Sequence, residues 1–216
     1  MTPQNVIDDV RVLINDVDAT TRYSDADLLK FVNESLKRIA HLRPDLFSAF
    51  ADMACVVSTV VQSAPSDSLR LMEVFQVVGG NAPYESDRIT MDLHSPGWRA
   101  SAEGACTTWM RHPRSPNKFF IYPPCPAAGQ SLSIEYAKVP SDYAIGDTIA
   151  ELHDSYKTVV VDFVVFLAQS IDDEHISTGR AKLFYDAGSQ ALGLSAQART
   201  VTDTESAGVG ATTQKG

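Results

Sequence analysis

The residues with the widest chemical range in this chain are its five histidines and three cysteines. His41, His94, His112, His153 and His175 are scattered, and no two lie close enough to form a local metal-binding pair. Cys55, Cys106 and Cys125 are odd in number, widely spaced and free of any Cys-x-x-Cys unit. They therefore suggest neither a zinc site nor a disulfide framework, and read as reduced thiols. Cys125 with the distant His112 is formally a nucleophile and its base. Its setting, Pro123-Pro124-Cys125-Pro126, holds nothing that would lower a thiol pKa, so a loop thiol is the simpler reading. His-Glu-x-x-His, a phosphate loop, a dinucleotide fingerprint and Gly-x-Ser-x-Gly are all missing from the sequence.

The carboxylates offer a second chemistry. Asp172-Asp173-Glu174 has the composition of a metal site, but an inter-helix turn followed by a dipole-favoured helix start explains it more simply. Asp142, Asp147, Glu151 and Asp154 read as a solvated connector, and no acid pair stands out for glycoside cleavage. Asp162 is different, because it interrupts an otherwise apolar stretch where a lone carboxylate is expensive. Either it points to the edge of a bundle, or it is a buried structural carboxylate paired with Arg38 or Arg43. The residues thus predict no catalytic site, cofactor or metal. One basic cluster remains: Arg99, then Arg111, His112, Arg114 and Lys118. It reads as a solvated turn or as a docking patch for an acidic partner or a transient DNA contact.

The whole-chain balance limits that last option. Over 216 residues the formal charge is −9, from 27 acidic side chains against 18 Lys and Arg. A broad phosphate-gripping face needs concentrated Lys and Arg, so tight nucleic-acid binding is excluded. A hydrophobic fraction of 44% suits a globular protein. Met1-Thr2-Pro3-Gln4-Asn5 lacks a basic region followed by an apolar core, so no signal peptide is expected. Val159 to Ala168 is too short to span a bilayer. A soluble protein made in a reducing cytosol is the expectation.

Helices are expected at both ends. Thr2 and Pro3 can start the first, and Val6, Ile7, Val10, Leu13, Ile14 and Val17 recur at helical spacing. Ser24-Asp25-Ala26-Asp27 resembles a capping box for a second. Its inward face is Leu28, Phe31, Val32, Ser35, Leu36 and Ile39, and Arg43-Pro44 stops it. Strands are predicted in the middle, at Ala54 to Val57, Thr59 to Val61, Leu69 to Val77, Thr107 to Arg111, Lys118 to Tyr122 and Ser131 to Ala137. Arg88 to Leu93 reads as a short helix. Val159 to Leu167 suits a buried strand or a helix. Length favours helix, since neither Gly nor Pro occurs from Glu151 to Thr178. A last helix should carry Ile176, Leu183, Phe184, Ala187 and Leu192. The segment 196–216, without Leu, Ile or aromatic residues, is expected to stay disordered unless a partner orders it.

The sum is an α+β fold. Segments 1–50 and 146–195 form a helical bundle, 51–145 a β-rich insertion, and 196–216 a flexible C-terminal arm.

The run Arg22-Tyr23-Ser24-Asp25-Ala26-Asp27-Leu28-Leu29-Lys30-Phe31-Val32-Asn33-Glu34 continues to Leu42-Arg43-Pro44-Asp45. Leu69 to Val74, Pro96-Gly97-Trp98, Phe119 to Pro124, Asp147-Thr148-Ile149, Asp162-Phe163 and Ser170 to Glu174 follow it in order. Taken together, these motifs resemble the opening and later signposts of the head-to-tail adaptor proteins of tailed phages, most closely those of short-tailed phages, including the tail tubular protein A type. The resemblance covers roughly residues 4 to 195. It implies a helical bundle bearing a β domain, assembled as a homo-oligomeric ring, commonly a dodecamer, beneath the portal protein. Such a ring joins the portal to the tail tube or nozzle, and DNA passes through its channel without specific binding during genome ejection. The implied location is the head-tail junction of the virion, after synthesis in the host cytoplasm, with no membrane partner. The arm, with Arg199, Val201, Val209 and Lys215, is then a candidate for portal docking. The alternatives are a virion-associated cell-wall hydrolase and an assembly factor that never enters the virion.

Overall fold

The computed structural model describes residues 1–16, 22–171 and 179–193. They form an α+β protein of two compact units, Met1–Leu42 with the described residues from Ser141 onward, and Arg43–Pro140.

The first unit is helical. Helix α1 (Pro3–Ile14) starts where the Thr2 hydroxyl accepts from the Asn5 N–H at 3.2 Å, with Pro3 in the first turn. It ends one turn earlier than its apolar stripe suggests, because Asn15 adopts a left-handed conformation (φ 57°) that closes the C-terminus. Leu13 consequently stays 37% exposed, while Arg11 is buried. Helix α2 (Asp25–Leu42) is capped by Ser24. Its hydroxyl accepts from the Asp27 N–H at 3.2 Å and donates to the Asp27 carboxylate at 2.7 Å. Leu28, Val32, Ser35, Leu36, Ile39 and Ala40 form its buried side.

The Val-rich segment becomes helix α4 (Lys157–Gln169), with Val159, Val160, Val161, Phe163, Val164, Val165 and Ala168 all buried. A helix apolar on most of its circumference sits at the centre of its bundle, which is why periodicity alone could not distinguish it from a strand. Residues 179–193 form a further helix, α5. It packs closely on α4 at Gly188, where an added Cβ would lie 3.3 Å from the Phe163 ring and 3.4 Å from the Asp162 Cβ. Tyr185 meets Phe163 edge-on at 5.9 Å and Phe166 at 5.1 Å.

The second unit has two sheets. One has the order β1-β7-β3, built from β1 (Ser48–Ala54), β3 (Ser68–Val77) and β7 (Ser131–Lys138), all antiparallel. The other runs β2-β6-β5-β4, from β2 (Val61–Ser63), β4 (Tyr84–Glu85), β5 (Thr108–Arg111) and β6 (Lys118–Tyr122). Leu71, Val74, Leu132, Ile134 and Tyr136 pack against Trp109, Phe119 and Ile121, with all three cysteines in the same core. The alternate residues Met110 and Phe120 face the opposite way, into a second cluster with Val60, Met91 of helix α3 (Arg88–His94) and Trp98. The central β5–β6 pair of this sheet is thus buried on both faces, and β6 reads as a short continuous apolar run.

One strand differs from expectation. The chain pairs at Ser48–Ala54, not at Cys55 to Val57. Ser58, at φ 55°, turns the chain there, leaving Val56 60% and Val57 47% exposed. The alternating Ser-Ala-Phe-Ala-Asp-Met-Ala run has only one aromatic and no β-branched residue. Pairing with β7 makes it a strand, overriding its weak intrinsic preference.

Candidate partner-contact surface

The basic cluster is positioned by the β5–β6 hairpin. His112 N–H donates to the Lys118 carbonyl at 3.3 Å, and the Lys118 N–H donates to the Ser115 carbonyl at 3.0 Å, closing the turn. The His112 Nδ1 accepts from the Arg114 and Ser115 N–H groups at 3.2 and 3.0 Å, while its ring stacks on Phe120 at 5.2 Å. This histidine organises the turn through its Nδ1 and its ring face. Arg114 and Lys118 stand exposed at the tip, and neither side chain has a partner among the described residues.

Arg111 and Arg99 are bound within the unit. Arg111 donates through Nε to the Glu85 carboxylate at 2.7 Å, and through its terminal nitrogens to the Leu71 and Met72 carbonyls at 2.9 and 2.5 Å. Its guanidinium lies 5.0 Å from the centre of the Trp109 ring. The planar fork thus ties β5 to the outer edge of β3, which a lysine could not do. Arg99 lies 4.4 Å over Trp98 and pairs with Asp92 at 2.8 Å. Asp92 also accepts from the Trp98 indole N–H at 2.9 Å and from Arg88 at 2.6 Å. The Arg99 and Trp98 hydrogen bonds hold its carboxyl below the ordinary range. A depression of about 200 Å³ beside the turn is lined by Arg70, Arg111, His112 and Arg114. Arg70 is exposed and has no partner among the described residues. It is the cation that reading the sequence locally missed, because it joins the others only across the β3 edge.

The cysteines and carboxylates occupy structural settings. Burial pushes the Cys55 thiol up to about 12 and the Cys106 thiol up to about 11. Cys125 is fully buried, and its thiol points at the Pro126 carbonyl, 3.7 Å away. The connector carboxylates fasten the chain to its own unit. Asp142 pairs with Lys37 at 2.6 Å, Asp147 accepts from the Ala144 N–H at 2.7 Å, Glu151 accepts from the Ser141 N–H at 3.2 Å, and Asp154 meets the Met1 amino group. Burial and the nearby Glu151 push the Tyr143 hydroxyl up to about 12. Among the described residues no three His, Cys, Asp or Glu side chains are placed to hold a metal ion.

Asp162 is partly buried, and burial raises its carboxyl pKa above the ordinary value. It has no hydrogen-bond or ion-pair partner among the described residues. Arg38 lies instead over the Phe166 ring at 5.1 Å, and Arg43 forks onto Asp45 at 2.8 and 2.7 Å.

The buried charge that local reading overlooked is Arg11. It donates to the Asp16 and Tyr23 carbonyls at 3.3 and 3.1 Å, and to the Asp25 carboxylate at 2.5 Å, tying the end of α1 to the start of α2. Its signal was the spacing: Arg11 follows the buried Ile7 by four residues and so lies on the same face. Asp172-Asp173-Glu174 and the arm residues Arg199, Val201, Val209 and Lys215 lie outside the described residues. No helix among the described residues is long and apolar enough to cross a membrane.

Comparison with curated proteins finds no match. A family model described as the SU10 adaptor protein matches residues 1–211, spanning the helical unit, the β unit and most of the segment beyond α5. The ordered motifs that resembled phage adaptors fall inside that match, and the chain belongs to the SU10 adaptor protein family.

Proposed function

We propose that this phage adaptor protein is a structural component of the head-tail junction, assembled as a ring that joins the portal to the tail tube or nozzle. The observation that carries the reading is the family match over residues 1–211. In this reading the ring, commonly a dodecamer, forms part of the channel through which DNA leaves the capsid, and the chain has no catalytic step to perform.

The electrostatics support a conduit. Arg99, Arg111, Arg88 and Arg43 all have carboxylate partners within their own unit, so part of the positive charge in a chain of −9 is internally compensated. A net-negative surface repels DNA and lets it slide, whereas an array of free cations would hold it. Arg114 and Lys118, exposed at the β5–β6 tip beside Arg70, are available to meet an acidic partner surface. The segment from 196 onward, with Arg199, Val201, Val209 and Lys215, supplies further chain for contacts with neighbouring copies and the portal.

Mass spectrometry of purified particles, followed by a symmetric reconstruction of the portal–tail junction, tests the reading. The expected result is several copies of this chain per particle, arranged as a ring around the channel. A particle without the chain overturns it.

A further inference from the structure

The two outer edges of the β1-β7-β3 sheet are finished differently. On β3, the Leu71 N–H donates to the Pro116 carbonyl at 2.9 Å, and Arg111 occupies the Leu71 and Met72 carbonyls. That edge is closed at Leu71 and Met72. On β1, the Cys55 N–H donates to the Gln130 carbonyl at 2.8 Å, which continues the β1–β7 register and fixes its phase. In an antiparallel ladder only alternate pairs exchange hydrogen bonds. Ala49, Ala51 and Met53 therefore bond to β7, and the N–H and C=O groups of Ser48, Phe50, Asp52 and Ala54 point outward. No bond to these outward groups occurs among the described residues. An open edge of seven residues is a template for another strand unless it is covered.

The side chains along this edge specify the strand that would fit. Phe50 is 69% exposed and stacks at 5.5 Å on Phe75 of β3. Glu135 of β7 lies opposite Phe50, Glu73 lies opposite Glu135, and Asp52 is the next outward residue of β1. An aromatic pair bordered by three carboxylates calls for an extended segment with an apolar residue and a cation two positions apart, hence on one face.

We propose that residues 199–203 of a second copy of this chain add to β1 as an antiparallel strand. Placing Val201 opposite Phe50 puts Arg199 opposite Asp52 and Asp203 opposite Ser48. Apolar meets apolar, and the cation meets the carboxylate. Thr200 and Thr202 then lie on the other face, beside Ala49, Ala51 and Met53, which pack on the core. Neither Gly nor Pro interrupts 194–207, and Thr200-Val201-Thr202 is β-branched throughout. Arg199 and Lys215 are the cations of the segment beyond α5, and of the two only Arg199 is followed two residues later by Val. The proposal rests on the ring reading. A ring needs two different complementary surfaces on each copy, and an edge with a donated strand supplies both.

The test is made in assembled particles, with Asp52→Cys and Arg199→Cys in one chain. The native cysteines are buried and do not compete. Oxidation should give a ladder of covalent multiples on a non-reducing gel, and neither single variant should. Asp52→Arg alone should lower incorporation about tenfold, and adding Arg199→Asp should restore it. Particles that contain the chain but yield no ladder, or only a bond within one chain, overturn this contact and leave the adaptor reading standing. Particles lacking the chain overturn the adaptor reading and, with it, the contact.

Discussion

Arg111 shows how a charged residue changes meaning between sequence and structure. Beside His112 and Arg114 it looks like part of a docking patch, yet it forks onto two backbone carbonyls and Glu85, whereas the Arg114 and Lys118 side chains at the turn tip have no partner among the described residues. Asp162 is the reverse case, a carboxylate with a desolvation cost and no described partner to offset it. Its raised folded-state pKa makes its contribution to stability fall as pH rises. Below the ordinary carboxylate value of 3.8 both states hold the proton. Above it the unfolded chain loses its proton first, and stability declines until the folded carboxyl has also ionised. Asp162→Asn should therefore be more stable than the parent at pH 7, with the gain shrinking toward zero as pH falls through the carboxylate range. Urea unfolding at a series of pH values checks this, and a gain independent of pH would refute the desolvation argument.

At the scale of elements, the helical unit depends on how closely α5 approaches α4. Gly188 is buried against Asp162 and Phe163, and an added Cβ meets the Phe163 ring at 3.3 Å. Gly188→Ala gains about 1 kcal/mol of helix propensity, which that tight contact offsets, so it should be close to neutral. Gly188→Leu exceeds the available space and should cost about 1–3 kcal/mol. Chemical denaturation of the two variants distinguishes a close-approach glycine from a tolerated one, and equal stabilities would refute the packing argument. The strands carry a related lesson. Cys55 to Val57 has the β-branched composition of a strand, yet Ser48–Ala54 has the partner. A strand's stability comes from its cross-strand neighbours, and composition reports only a preference.

For the molecule as a whole, charge and compensation point the same way. A chain of −9 in which Arg11, Arg43, Arg88, Arg99 and Arg111 are paired with carboxylates should bind duplex DNA more weakly than about 10⁻⁴ M at physiological salt. Fluorescence anisotropy with a labelled duplex measures this directly. Tight binding with a steep salt dependence would mean that Arg70, Arg114 and Lys118 form an effective DNA grip and that the conduit argument is wrong.

The sequence by itself determined what short-range physics controls. It placed the Thr2 and Ser24 caps, the stop at Arg43-Pro44, the buried face of α2, the β5–β6 hairpin, the α+β class and the family, because capping, periodicity and motif order are written within a few residues. Only the tertiary structure decided which neighbours distant residues acquire. It buried Arg11 between Asp16 and Asp25, gathered three separated cysteines into one core, and engaged Arg111 with β3. It also closed one sheet edge while leaving the other open. Ion pairs, cross-strand partners and edge exposure depend on contacts between segments far apart in the chain, and no local pattern encodes the partner.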